Sequence, residues 1–195
     1  AISKVIAGNV TGIKMEDAER KRVAYHEAGH ALIARVCGSI EQLVRVTIVP
    51  RSKGSLGYAQ YSDSNRNLKS NKDMEEMVMV ALGGREAELH FFGDVTTGAM
   101  NDLSKATKIL YDLVRHYGMG ESAVYLEHQD VPYSSEHVKK HHDQQVTEML
   151  KGLEKRVKEM ISKHTKTIEI FAEELLKKEN LNQAQIDKLF TTRGL

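Results

Sequence analysis

The stretch Val23-Ala24-Tyr25-His26-Glu27-Ala28-Gly29-His30-Ala31-Leu32-Ile33 decides how the rest of the chain is read. Its small and apolar residues predict a helix packed tightly in a core with one polar edge left open. At about 100° per residue, positions four apart differ by only about 40° around such a helix, so the imidazoles of His26 and His30 leave one face and can converge on a single ion. Glu27 projects beside that face, where a carboxylate can take a proton from an activated water without itself ligating. The pattern suits zinc, one ion per chain. The plainer alternative is a pair of hydrogen-bonded histidines on a surface helix.

A catalytic zinc needs a third protein ligand and an open position. No histidine follows at the short spacing of H-E-x-x-H-x-x-G-x-x-H, since residues 35–40 contain none. Two carboxylates remain. Glu88, in Gly83-Gly84-Arg85-Glu86-Ala87-Glu88-Leu89, lies on a second helical stretch long enough to return beside the first. Asp102, in Thr96-Thr97-Gly98-Ala99-Met100-Asn101-Asp102-Leu103, borders an apolar stripe, with Ala106, Ile109 and Leu113 within about 40° of it. Each also has an ordinary explanation, Glu88 as a surface glutamate and Asp102 as a first-turn acid favoured by the helix dipole. Spacing alone leaves both open.

Outward from the motif, the 195 residues allow one good core, with 41% hydrophobic and 28% charged residues. Twenty-eight basic against 27 acidic side chains give a net charge of +1, without the long-range field that draws in nucleic acid. No run approaches the roughly 18 to 20 apolar residues that cross a bilayer, so the polypeptide is expected to be soluble. Cys37 is the single cysteine and has no internal disulfide partner.

Two prolines and recurrent three- and four-residue apolar spacing predict a mainly helical chain. A first helix is expected from Met15 to Val36, stopped by Gly38, and a hairpin from Leu43–Val49 and Leu56–Tyr61. A second helix should run from Asp73 to Phe92, its Gly83-Gly84 pair marking close packing against another element. A third, with Leu103, Ala106, Leu110, Leu113 and Val114 on one stripe, should end at Gly118. After a loop over residues 127–135 comes a long amphipathic helix marked by Val146, Leu153, Val157 and Ile161, then Ile168–Leu176 and a short helix capped by Asn182.

His26-Glu27-Ala28-Gly29-His30, Leu82-Gly83-Gly84-Arg85 with Ala87-Glu88, Phe92-Gly93, and Thr96-Thr97-Gly98-Ala99 before Asn101-Asp102 and Ala106-Thr107 together resemble the peptidase domain of the FtsH family. These are AAA+ zinc proteases of bacterial, mitochondrial and chloroplast membranes. The resemblance implies a mainly α fold: a helical zinc-metallopeptidase domain over residues 15–195, with a small β-hairpin or sheet and a long C-terminal amphipathic helix. Residues 1–14 would be the end of an ATPase module and its linker. The implied activity is ATP-dependent endoproteolysis of unfolded or damaged membrane and soluble proteins by a homo- or hetero-hexamer. The family's third zinc ligand is the aspartate of an Asn-Asp pair, which maps to Asp102 and leaves Glu88 a supporting role. Glu27 would act as general base.

The family's ATPase phosphate loop and transmembrane helices are absent here, so the chain reads as a fragment. ATP would enter only through an ATPase module in cis, and the membrane only through segments outside this sequence. Glu86 and His90 depart from the family pattern and read as drift on a helix surface.

His137 and His141, with His142 adjacent, share the i, i+4 spacing but lack the glutamate, and read as a solvated face between Lys139, Lys140 and Asp143. Cys37 is about 10 Å along the helix from His30, too far for one coordination sphere. The segment Leu56, Gly57, Tyr58 offers a sheet edge to which an extended substrate can add. The competing class is a non-catalytic binding or oligomerisation scaffold working through the C-terminal amphipathic helix, against which stands the intact Glu27.

Overall fold

A computed structural model of the chain describes residues 15–38, 42–50, 56–62, 67–121, 136–192 and 194–195. The segment 1–14, all but Pro50 of the turn expected at residues 50–54 and the loop expected at 127–135 lie outside these. Helix α1 spans Asp17–Cys37 and carries the His-Glu-x-x-His stretch. Asp17 and Glu19 occupy its first turn, where the dipole favours carboxylates, and Gly38 closes it at φ 65°, a left-handed conformation that glycine adopts without a Cβ penalty. Helix α2, Asn71–Phe92, begins two residues before the expected Asp73. Ser70 Oγ accepts from the Asp73 N–H while the Asp73 carboxylate accepts from the Ser70 N–H at 2.7 Å, and this reciprocal cap fixes the start.

Where α1 and α2 pack together, their backbones meet at Gly29 and Gly83. A Cβ built on Gly83 would lie 2.8 Å from the Gly29 carbonyl oxygen, and one built on Gly29 would overlap the Gly83 carbonyl and approach Ala87 Cβ to 2.7 Å. Side chains at either position would drive the helices apart. This is the close packing that the glycine pair in α2 foreshadowed.

A 3-10 turn at Thr97–Ala99 leads into α3, Met100–Tyr111, which continues as a single π-type turn, Asp112–His116. The expected stop at Gly118 is present at φ 58°. Helix α4, Glu136–Lys163, buries Val146, Leu153, Val157 and Ile161 against α2 and α3, so its apolar stripe belongs to this chain's own core. Its remaining face is what is left for any partner. Helix α5, Thr165–Lys178, sets Ile168, Phe171, Ala172 and Leu175 into the core beside α1. Helix α6, Gln183–Thr191, is capped by Asn182 as expected, with Gln185 returning the bond.

The hairpin is present but shorter than expected and part of a larger sheet. Strands β1, Leu43–Thr47, and β2, Tyr58–Tyr61, pair antiparallel with Thr47 opposite Tyr58. Leu56 and Gly57 therefore precede the strand, and of the three residues expected at the substrate edge only Tyr58 lies in it. Pairing stops there because the chain after Thr47 turns to the other neighbour: Thr47 Oγ1 and the Ile48 N–H both donate to the Glu179 carbonyl at 3.0 Å. That neighbour leads into β3, Asn180–Asn182, antiparallel to β1, and the sheet order is β2-β1-β3. A three-residue strand gives too short an alternation to be read from sequence.

Two surface assignments are corrected. Glu86 is 2% exposed rather than on the surface, because α4 covers that side of α2 and presents Lys158 and Glu154. Burial raises its carboxyl pKa, opposed by Lys158 and Arg85. His142 is fully buried and His141 is half-buried and engages Gln145 at 2.9 Å, whereas His137 is exposed, so only part of the second histidine group is a solvated face. His90 is at the surface, within 3.0 Å of Thr165 Oγ1. Among the described residues no helix is long and apolar enough to cross a membrane.

Candidate metal centre

The α1–α2 contact sets the depth at which the site is built. His26 and His30 are 8% and 7% exposed on the α1 face turned to α2, with their rings 4.7 Å apart and steeply inclined. Asp102 reaches the same point from the first turn of α3. The His26 and His30 Nε2 atoms are 3.0 Å apart, and Asp102 Oδ2 lies 3.2 Å from the first and 3.3 Å from the second. Among the described residues this is the one group of three or more His, Cys, Asp or Glu side chains that converges so. Cys37, with a thiol pushed up to about 11 by burial, stands apart from it.

The far side of each ring fixes which nitrogen faces the centre. His30 Nδ1 lies 2.7 Å from the Val80 carbonyl, an acceptor only, so that nitrogen carries the hydrogen. His26 Nδ1 donates in the same way to Glu88 Oε1 at 2.6 Å. In the neutral imidazoles both Nε2 lone pairs then point at Asp102 Oδ2. Three acceptors with no donor between them are mutually repulsive and call for a cation. Their separations fit one, since ligand atoms about 2.0–2.1 Å from a tetrahedral zinc lie about 3.3 Å from each other.

The electrostatics agree. Burial by itself lowers the His26 pKa, but hydrogen bonds to Asp102 and Glu88 and the nearby Glu27 charge overcome it and raise the pKa to about 10. Burial likewise opposes ionisation of Asp102, and the two imidazoles more than reverse this, holding its pKa well below the usual carboxylate range. The Glu88 pKa is also lowered: burial raises it, while His26 and the Thr96 N–H, 2.8 Å from Oε2, pull it down. Arg22, one turn before His26 on α1, brings Nη1 to 3.9 Å from the same oxygen. The field that favours a proton on His26 favours a metal cation at its Nε2.

Glu27 is 5% exposed, and its Oε2 has no hydrogen-bond partner among the described residues. Burial raises its pKa, partly countered by His30 and His26. The other oxygen faces the start of β2, where a Cβ on Gly57 would lie 2.9 Å from Glu27 Oε1, 2.8 Å from Val23 Cγ1 and 2.9 Å from the Thr47 carbonyl oxygen. The structure thus gathers His26, Glu27, His30, Glu88 and Asp102, and sets Gly57 beside them. It separates the two carboxylates that spacing left open. Asp102 faces both Nε2 atoms, and Glu88 is on the opposite side of the His26 ring. Sequence reading missed the Val80 carbonyl, the Thr96 N–H and Arg22. Backbone groups leave no trace in a sequence, and Arg22 looks like any solvated helix residue.

A buried His-Glu-x-x-His helix whose two imidazoles face one carboxylate is the arrangement of the metal-dependent hydrolase class. Residues 13–189 match the model for peptidase family M41, and the chain belongs to that family. It is 34% identical over 205 residues to the ATP-dependent zinc metalloprotease FtsH of Rhodothermus marinus, covering 99% of this chain and 29% of the relative. It is 36% identical over 200 residues to the mitochondrial ATP-dependent zinc metalloprotease FTSH 10 of Arabidopsis thaliana, covering 99% and 24%. With FtsH 1 of Methylacidiphilum infernorum the identity is 45% over 125 residues, 63% of this chain and 20% of the relative. The chain spans less than a third of the length of these relatives.

The two carboxylates should separate in a metal-binding titration. Asp102→Asn removes an atom that faces both imidazoles, whereas Glu88→Gln weakens only the support behind His26, which typically costs about 10–100-fold in affinity. Zinc affinity measured by chelator competition is expected to fall further for Asp102→Asn than for Glu88→Gln. The reverse order would make Glu88 the ligand.

Proposed function

We propose that this chain is the peptidase domain of an ATP-dependent zinc endopeptidase, with His26, His30 and Asp102 as its zinc ligands and Glu27 as its general base. The observation that carries the reading is the convergence of two imidazole lone pairs and a carboxylate oxygen beside a buried glutamate with one unengaged oxygen. Zinc held there would polarise a scissile carbonyl and make water nucleophilic at neutral pH. Glu27 takes the proton released at attack and returns it to the leaving amine, a transfer helped by a carboxyl pKa shifted upward by burial. Glu88 holds the His26 ring in the tautomer that presents Nε2, and the Val80 carbonyl does the same for His30. A scaffold with no catalytic task would gain nothing from burying Glu27 with an unbonded oxygen. The apolar stripe of α4, on which that alternative rested, is occupied by the core.

Glu27→Gln should bind zinc as the native protein does and lose peptidase activity by roughly 100-fold or more. Metal content and casein hydrolysis, measured on the same preparation, test this. Full activity in a zinc-loaded variant would remove Glu27 from the mechanism.

The substrate is an extended, unfolded polypeptide. Among the described residues β1 is central in the sheet and β2 is an edge strand, and its approach passes beside Glu27 at Gly57, between Leu56 and Tyr58. A peptide added to that edge is held by backbone hydrogen bonds, which tolerate many side chains. N-methylation of alternate peptide nitrogens flanking the scissile bond should raise KM by about tenfold or more, the equivalent of one or two hydrogen bonds. An unchanged KM across the methylated series would place the substrate elsewhere.

ATP dependence, a homo- or hetero-hexameric ring, an ATPase module in cis and anchorage in a bacterial inner membrane or an organelle membrane are proposed for the longer protein. The names of the relatives support the ATP dependence, and the resemblance of the motifs to the FtsH family supports the rest. A folded domain stable by about 5–15 kcal/mol rarely opens, so a peptidase without a motor meets few cleavable chains. This chain is expected to degrade casein without ATP and to spare a stable folded reporter with an unstructured tail. A version preceded by the ATPase module should destroy that reporter when ATP is present. Equal degradation of the reporter by both, with or without ATP, would overturn the division of labour.

A further inference from the structure

The adjacent glycines of α2 meet different things. A Cβ on Gly83 would strike the Gly29 carbonyl oxygen at 2.8 Å, its carbonyl carbon at 3.0 Å and the His30 backbone nitrogen at 3.1 Å, all main-chain atoms of α1. A Cβ on Gly84 would overlap the Nε2 atoms of both His26 and His30, with His26 Cδ2 at 2.6 Å. Its three nearest neighbours are therefore all ring atoms of the two imidazoles, and two of them are the atoms whose lone pairs converge with Asp102 Oδ2. Gly84 lies in an unbroken helix and has no positive φ, so its backbone conformation does not call for glycine.

We infer that Gly84 is a positioning residue for the metal centre: the absence of a side chain at this one helical position leaves room for both imidazoles to present Nε2 to the same ion. The inference rests on the zinc-site reading above and deepens it. A methyl group at position 84 turns the rings away while Gly83 continues to hold the helices together. The two glycines thus serve different requirements, Gly83 the fold and Gly84 the ligand geometry. Because alanine is the better helix former, Gly84→Ala has no backbone reason to weaken α2.

The test compares the native chain, Gly83→Ala and Gly84→Ala. Each is stripped of metal, checked by circular dichroism and thermal unfolding, then titrated with zinc against a chromophoric chelator. The native chain should bind one zinc. Gly84→Ala should keep the helical spectrum of the native chain when metal-free and bind zinc at least 100-fold more weakly. Gly83→Ala should melt lower in the metal-free state. If metal-free Gly84→Ala is unfolded, Gly84→Ala combined with His26→Ala removes two of the three colliding atoms and should restore the helical spectrum. Failure of that rescue would mean that Gly84 packs against something other than the imidazoles, and the inference falls. It falls equally if Gly84→Ala binds zinc with native affinity. Failure of the native chain to bind zinc would instead overturn the metal-site reading on which the inference depends.

Discussion

The contact of Gly29 with Gly83 sets the distance on which the remainder of the molecule depends. Two helices whose main chains touch must be free of side chains at the crossing, and such a crossing brings the flanking residues of each within reach of the other's. His26 and His30 flank Gly29 on one helix, while Val80, Gly84 and Glu88 flank Gly83 on the other. The pairing follows directly: the Val80 carbonyl receives the His30 Nδ1–H, Glu88 receives the His26 Nδ1–H, and Gly84 leaves the space between the rings empty. A wider crossing would lose all three together.

This geometry explains why the site tolerates so much buried polarity. Glu27, Glu88, His26 and His30 are each less than a tenth exposed, and isolated charges at such depth cost several kcal/mol. Glu88 offsets its burial with the His26 ring and the Thr96 N–H, with Arg22 nearby. The imidazoles offset theirs through Glu88 and the Val80 carbonyl, and a cation between their Nε2 atoms and Asp102 would offset the remaining carboxylate. Within the site, Glu27 keeps a buried oxygen without a hydrogen-bond partner among the described residues. Its neighbours are the two histidines on one side and the approach to β2 on the other, a position that suits the proton acceptor proposed for Glu27.

The outer elements serve this centre at a distance. Helix α4 spends its apolar stripe on covering α2 and α3, and α5 backs α1, so both walls of the site are supported from behind. The sheet is tied to the end of the chain by β3 and the Glu179 carbonyl, which anchors β1 in the centre and leaves β2 outermost. The position of the proposed substrate edge is thereby set by residues some 130 positions further along the chain.

What the sequence determined by itself was local and periodic. The i, i+4 histidines with an intervening glutamate, the glycine and asparagine caps and the apolar stripes of the helices each depend on residues within a few turns of one another, so the order of helices, the hairpin and the convergent histidine pair were legible from spacing. Recognisable motifs added the assignment of Asp102. What only the tertiary structure decided involved atoms that sequence does not encode individually or partners far along the chain. The choice between Asp102 and Glu88 became geometric only when α3 met α1, since both carboxylates suit a site by composition and just one reaches the Nε2 side. The burial of Glu86 depended on which side of α2 the fourth helix covers. The third strand was too short for a period of two to show, and the separate tasks of Gly83 and Gly84 appeared only when the backbone of one helix and the imidazoles of another were seen to occupy the space their side chains would have filled.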